Sequence, residues 1–444
     1  MKRITVLGGG PGGYTAAIRC AQNGAEVTLI EKDSLGGTCL NWGCIPTKSY
    51  IESVSSGGKE LPQVKERKNN TVAQLVNGVN TLLVRNGVKF LQGEGRVISP
   101  RETEVIFPDH SSTIIPNDVL ILANGSQSVN LPIPGFDLPQ VLDSKGILEL
   151  TELPGRLVII GGGVIGLEFA QIFAGLGSKV TIVEMLPKML ATLDDELVRR
   201  LQPVIKKQGI DVFTGTRVTK ILPGEGQLEV YITGKKDEIL KADIVLAAAG
   251  RIPNLQGVDA AKLELALEGR FVKVNQFMET NLADVYALGD ITKSPMLAHV
   301  AAYEAEIAVK NIFKATTPAD YTAVPACVYT HPELAGVGIS ENEAKNQGIN
   351  YKVGKFPFTA NGRAMTQDAA YGMVKIIAEE KTGVILGAHI LGPNASELIH
   401  ELTLAVRWGM TVEQVAETIH AHPTLAEAVL EAAHGVFHKP IHSI

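Results

Sequence analysis

The chain has 444 residues, 45% of them apolar and 20% charged, with a net charge of −6. That length exceeds one hydrophobic core, so roughly two to four domains are expected. The acidic balance and the 5% aromatic content argue against a nucleic-acid or anionic-membrane surface, and four cysteines in such a length are no secreted disulfide framework.

Residues 3–7 read as a buried strand, followed by Gly8-Gly9-Gly10-Pro11-Gly12-Gly13 and a helical pattern from Tyr14 to Asn23. Gly24 closes that helix, and a second strand over 26–30 ends at Glu31. The glycines from Gly8 onward interrupt any apolar export segment, so no signal is read and a cytoplasmic chain is expected. Next comes Cys39-Leu40-Asn41-Trp42-Gly43-Cys44, with Lys48 shortly after it. Two cysteines at this spacing fit a redox dithiol or half of a metal site. No second Cys pair or spaced Cys/His cluster follows, so no metal is expected. Cys20 and Cys327 read as small buried hydrophobes.

The opening pattern then returns. A strand over 157–160 precedes Gly161-Gly162-Gly163-Val164-Ile165-Gly166, a helix to about Leu176, the stop Gly177, and a strand ending at Glu184. Gly8, Gly10, Gly13, Gly24 and Glu31 map onto Gly161, Gly163, Gly166, Gly177 and Glu184 at one constant offset. The apolar run 157–173 holds Glu168 and many glycines, so it fits strand, turn and helix rather than a membrane span. Each copy is a βαβ dinucleotide fingerprint. Its glycines allow a tight turn, a close backbone approach to a pyrophosphate and helix-on-strand packing, and its acidic residue accepts from ribose hydroxyls. One glycine string is a weak signal; two complete copies predict two bound dinucleotides. Glu184 favours NAD over NADP, because a carboxylate repels a 2′-phosphate, and Lys188 reads as a solvated lysine.

Further on, a strand ends at Gly289-Asp290 and a helical pattern runs from about Pro295 to Phe313. Standing alone, Asp290 reads as a turn residue capping the next helix or as a ligand for a polyol. Near the end lies His420-Ala421-His422-Pro423-Thr424-Leu425-Ala426-Glu427, with Glu427 opening a helix. A Glu bonded to one ring nitrogen orients the other and raises its basicity, which suits His422 to act as a base. His434, His438 and His442 read as a tail of solvated and packed residues rather than a ligand patch.

In this order the fingerprints, the Cys-x4-Cys segment and Gly289-Asp290 resemble the flavin-dependent pyridine-nucleotide disulfide oxidoreductases, from Ile4 to about Pro440. The resemblance implies that the first fingerprint holds FAD, with Glu31 on the adenosine ribose, Gly95 at the adenine, Asp290 on the ribityl chain, and Ala298 and His299 beside the ring. It places NAD on the second fingerprint, with Gly250 and Arg251 closing that site. Cys44 faces the flavin, Cys39 exchanges with substrate, Lys48 paired with Glu168 stabilises the reduced ring, and His422 with Glu427 is the base. Asn124 replaces the family's usual Thr in a turn before the second nucleotide domain. Trp42 stands where relatives have a small aliphatic residue and is expected to crowd the disulfide or pack beneath it. The stretch between Lys48 and Arg85 is shorter than in most relatives.

The fold implied is α/β, with two Rossmann-like dinucleotide-binding domains of the three-layer ββα type and a C-terminal α+β dimerisation domain. The expected divisions are 1–145 (FAD), 146–254 (NAD), 255–318 (return segment) and 319–444 (dimerisation). A homodimer with shared sites is expected. Within the family the C-terminal segment is most similar to members that oxidise protein-bound dihydrolipoamide with NAD⁺, serving a lipoyl-bearing acyltransferase or glycine-cleavage H-protein bound in trans. The alternatives are a glutathione-type or mercuric-type reductase and, more distantly, a flavoprotein sensor with an inert dithiol.

Overall fold

The computed structural model describes residues 1–235, 237–437 and 439–442. The chain forms two compact units: 1–132 with 142–152 and 249–319, and 133–141 with 153–248 and 320–444.

The first unit is built on a five-stranded parallel sheet in the order Val285–Ala287, Val119–Leu122, Arg3–Leu7, Glu26–Glu31, Lys89–Gln92. Side chains alternate across it, as strand geometry demands. Ile4, Val6, Val27, Leu29, Val119 and Ile121 face helices Pro11–Gln22 and Ala298–Ile312. Leu7, Ile30, Leu120 and Leu122 face the opposite layer, where Val97 and Val105 of the antiparallel meander Glu94–Ser99, Glu102–Ile106, Ser112–Pro116 lie. This is the three-layer ββα arrangement. The strand Val285–Ala287 pairs with Val119–Leu122, so the chain returns to complete its first sheet after the second nucleotide fold.

The second unit repeats the plan. Its parallel sheet runs Ile210–Thr214, Lys179–Glu184, Arg156–Ile160, Ile244–Ala247, with a separate meander over 217–242. Its C-terminal part is a five-stranded antiparallel sheet, Ala326–Val328, Glu333–Gly338, Ile385–Gly392, Met373–Glu379, Tyr351–Pro357, packed with helices Ala395–Arg407 and Glu427–Val436. Within this unit Lys375, 1% exposed, is neutralised by Asp194 at 2.9 Å, Glu196 at 3.2 Å and Glu341 at 2.7 Å. Three carboxylates around one buried ammonium satisfy the pairing that a buried charge requires.

Local chemistry explains the element ends. Helix Pro11–Gln22 starts three residues before the expected Tyr14, because Pro is well suited to the first turn, where its missing N–H is not needed. The second copy ends at Gly177 with φ +113°, the left-handed conformation glycine supplies. Between Lys48 and Arg85 the chain holds helices Cys44–Ser55 and Leu61–Arg85 joined by one short loop. No helix among the described residues is long and apolar enough to cross a membrane.

Candidate functional site

The two fingerprints match down to individual hydrogen bonds. In the first, Glu31 accepts from Gly9 N at 2.8 Å and Asp33 N at 2.8 Å. In the second, Glu184 accepts from Gly162 N and Leu186 N, each at 2.6 Å. A carboxylate has about four acceptor positions, so each still has capacity for ribose hydroxyls. A Cβ at Gly13 would lie 1.8 Å from Gly8 O, and one at Gly166 would lie 2.0 Å from Gly161 O. These glycines are the close helix–strand contacts. Gly8, at φ +106°, makes the turn itself.

Both helices that follow are capped by a glycine, Gly10 or Gly163, that has no side chain to accept from the first-turn amides. Nothing lies within 4 Å of a Cβ placed on Gly163, and a Cβ on Gly10 would meet only Gly37 Cα at 4.0 Å. Amides at an open helix N-terminus fit a pyrophosphate, so the residues present suit one dinucleotide in each unit. Lys188 is not the solvated lysine expected. It pairs with Asp195 and donates toward Leu193 O at 3.4 Å, so its charge is already engaged.

The dithiol lies in the first unit. Cys39 sits within helix Gly37–Trp42, whereas Cys44 is the first residue of the twelve-residue helix Cys44–Ser55. A helix N-terminus favours a thiolate, which distinguishes Cys44 from its neighbour. Cys39 is hydrogen-bonded to Cys44, and that bond together with burial pushes its thiol far above the ordinary range, while Lys48 works weakly against the rise. Trp42 sends its indole N–H to Thr38 Oγ1 at 3.2 Å, and Lys145 Nζ lies over its ring at 4.2 Å.

Asp290 occupies the turn Gly289–Ile291 in the same unit, where it accepts from Ser126 Oγ. Beneath it, Gly289 N donates to Glu304 Oε2 at 2.6 Å, and Glu304 is fully buried. Sequence reading missed Glu304. A carboxylate among Val300, Ala301, Ala305 and Ile307 needs a partner once buried, but Glu306 two residues on reads the same way in sequence. Ala298 and His299 open helix Ala298–Ile312. A Cβ at Gly95 would meet Leu7 Cδ1 at 2.3 Å, so packing alone accounts for that glycine. Arg251 belongs to the first unit, where it donates to Ser126 Oγ and Ser126 O, each at 2.7 Å.

In the second unit, Glu168 is 3% exposed and accepts from Tyr329 N at 3.1 Å. The His-Ala-His segment is resolved by geometry. His420 has both ring nitrogens occupied, Nδ1 against Thr418 O at 2.8 Å and Nε2 against Glu401 at 2.9 Å. His422 has only Nδ1 held, by Glu427 at 2.9 Å, and its side chain is 77% exposed, which leaves Nε2 for chemistry. The second oxygen of Glu427 accepts from Thr424 N at 2.8 Å. Burial works to raise the Glu427 carboxyl, but the Thr424 amide and His422 outweigh it and hold it below the usual range. In the tail, His442 Nδ1 meets Glu431 at 2.7 Å, while His438 lies outside the described residues. No cluster of three metal-binding side chains occurs among the described residues.

Two dinucleotide cradles, a hydrogen-bonded cysteine pair and a histidine held by a carboxylate fit a redox protein that moves electrons between thiols and a pyridine nucleotide. Residues 2–305 match the family model described as pyridine nucleotide-disulphide oxidoreductase, and residues 324–433 match that family's dimerisation domain. Dihydrolipoyl dehydrogenase 1, mitochondrial, of Arabidopsis thaliana is 40% identical over 99% of this chain and 91% of its own length. The mitochondrial dihydrolipoyl dehydrogenase of Pisum sativum is 40% identical, covering 99% and 92%. Among solved structures, the Cu(II) complex of the HOCl-induced flavoprotein disulfide reductase RclA of Escherichia coli superposes with a TM-score of 0.92 at 29% identity, over 97% of this chain and 98% of that one. The chain belongs to the pyridine nucleotide-disulphide oxidoreductase family, which uses FAD and NAD(H). Its dimerisation domain makes it a homodimer. Consistent with that, Leu404 and Trp408, one turn apart, and Ile419 leave apolar surface exposed in this domain.

Proposed function

We propose that the protein oxidises protein-bound dihydrolipoamide to lipoamide and reduces NAD⁺. The observation that carries this reading is the pairing of an asymmetric Cys39–Cys44 dithiol with a His422–Glu427 dyad whose Nε2 is left for a substrate thiol. Forty per cent identity to dihydrolipoyl dehydrogenases over nearly the whole chain supports the substrate, and disfavours the glutathione-type and mercuric-type alternatives.

The residues divide the work as follows. His422 Nε2, oriented by Glu427, takes the proton of one substrate thiol. In the oxidised enzyme, where Cys39 and Cys44 are joined as a disulfide, the resulting thiolate attacks Cys39 Sγ, the S–S bond breaks, and Cys44 departs as the thiolate its helix terminus favours. The second substrate sulfur then attacks its own partner sulfur in the mixed disulfide, its proton passing to the departing Cys39 Sγ, and His422 returns its proton to solvent. Two electrons now reside on the dithiol and lipoamide leaves. Bound FAD would relay that pair to NAD⁺ as a hydride equivalent. Glu31, Gly8, Gly10, Gly13, Asp290, Ala298 and His299 would hold the flavin dinucleotide, and Lys48 would supply positive charge near the ring. Gly161, Gly163, Gly166 and Glu184 would hold NAD.

In this reading His422 of one protomer serves the dithiol of its partner, and the lipoyl arm arrives on an acyltransferase or H-protein bound in trans. We place the chain in the cytoplasm, since a working dithiol suits a reducing compartment, whereas the plant relatives are mitochondrial by name; cell fractionation decides. The enzymatic test is a steady-state assay of dihydrolipoamide with NAD⁺ and with NADP⁺. The expected outcome is turnover with kcat/KM at least about tenfold higher for NAD⁺, because Glu184 opposes a 2′-phosphate. Turnover of glutathione disulfide with NADPH, and none of dihydrolipoamide, would reverse the assignment.

A further inference from the structure

Gly250-Arg251 follows directly on the second nucleotide fold in sequence, yet Arg251 lies in the unit that holds the first fingerprint and the dithiol. Its strand, Arg251–Pro253, pairs antiparallel with Ser126–Ser128. The guanidinium grips Ser126 twice, Nε to Oγ at 2.7 Å and Nη2 to the carbonyl O at 2.7 Å. Ser126 Oγ in turn donates to Asp290 Oδ2. A hydroxyl has one proton, so accepting from Arg251 commits that proton to Asp290. Asp290 is the main carboxylate facing the buried guanidinium, with Asp143 next. Asp143 is itself tied into this strand pair, accepting from Ser128 Oγ at 3.1 Å.

We propose that Arg251 is a positioning residue of the flavin side of the site, not of the nicotinamide side: through Ser126 it fixes the Asp290 carboxylate for a polyhydroxyl chain such as the ribityl of FAD. The inference rests on the assignment of Asp290 given above. A planar guanidinium is needed because two acceptors of one residue, a hydroxyl and a carbonyl, must be held together; a lysine ammonium can reach one of them.

The test uses holoenzyme variants Arg251→Met, Arg251→Lys, Ser126→Ala, the double Arg251→Met/Ser126→Ala, and Asp290→Asn. FAD release after dilution is followed by flavin fluorescence, and KM for NAD⁺ is measured on the same preparations. Arg251→Met and Ser126→Ala should each speed FAD release about tenfold, the worth of one hydrogen bond to a charged group. The double variant should match the faster single within about twofold, because both act in one chain, and Arg251→Lys should lie between wild type and Arg251→Met. KM for NAD⁺ should stay within about twofold throughout. The proposal is overturned by wild-type FAD release in Arg251→Met, by a double variant equal to the product of the singles, or by a raised KM for NAD⁺ with FAD release untouched. Should Arg251→Met not fold, unchanged release in Ser126→Ala overturns it alone. Asp290→Asn separates the two layers: wild-type release in that variant means that the ribityl assignment itself has failed.

Discussion

The two sulfurs differ because of where each sits on a helix. Cys44 begins one, where the terminus favours a thiolate, and Cys39 lies inside another, where burial and its bond to Cys44 push its thiol up. Replacing Cys44 with Ser removes the leaving thiolate but none of the residues proposed to hold FAD. The expected result is loss of dihydrolipoamide turnover with FAD still bound, read from activity and the flavin absorbance of the same sample. Glu427 gives a pH prediction. Its folded carboxyl lies below the ordinary value of 4.5, so the stability it contributes is present above that value and lost as pH falls through the depressed one. Glu427 therefore stays ionised from about pH 5 to 8. The deficit of Glu427→Gln, about 10- to 100-fold in kcat, should be constant across that window. A deficit that disappears toward the acid end would show that Glu427 takes up a proton within that window, against its depressed carboxyl. The sequence made both residues legible, since the Cys spacing and His-Pro-Thr-x-x-Glu are local. Its choice of His422 over His420 named no partner for the first ring. That choice depends on Glu401 and Thr418, which occupy both nitrogens of the first ring and neither of the second.

The duplicated strand–turn–helix elements were legible as well, because the constraint on each glycine is short-range. A side chain at Gly13 or Gly166 would strike the carbonyl of the turn glycine five residues earlier. Gly166→Ala should therefore spread the helix from its strand, at about 1–3 kcal/mol of stability. Binding of NAD⁺ should weaken while FAD content stays at wild-type level, as measured by titration calorimetry and absorbance. Equal loss of both cofactors would show that the two fingerprints do not act separately. Glu304 and Ser126 were harder to find. Glu304 supports the Gly289-Asp290 turn from the helix that follows, whereas Ser126 reaches it from 164 residues away and no spacing rule links it to Asp290.

At the scale of the assembled molecule, the dimerisation domain carries the His422–Glu427 pair and the first unit carries Cys39 and Cys44. If the site is shared between protomers, mixing inactive Cys44→Ser and His422→Gln chains after dissociation should restore activity. Random reassociation gives heterodimers in half the population, each with one complete site, so about a quarter of wild-type turnover is expected. No recovery, with dimers re-formed by gel filtration, would place the base and dithiol of one protomer in one site. The apolar surface left by Leu404, Trp408 and Ile419 marks the domain whose burial such reassociation needs.

By itself the sequence determined that this chain binds two dinucleotides and carries a redox pair. Those are properties of short segments whose glycines, carboxylates and cysteines must recur at fixed spacing. Only the tertiary structure decided which unit Arg251 lies in, that Lys188 is engaged by Asp195, and which ring nitrogens of His420 and His422 are held. These outcomes depend on partners brought together from distant parts of the chain. A side chain's role follows from what occupies its hydrogen-bonding positions, and neighbours in sequence do not reveal that.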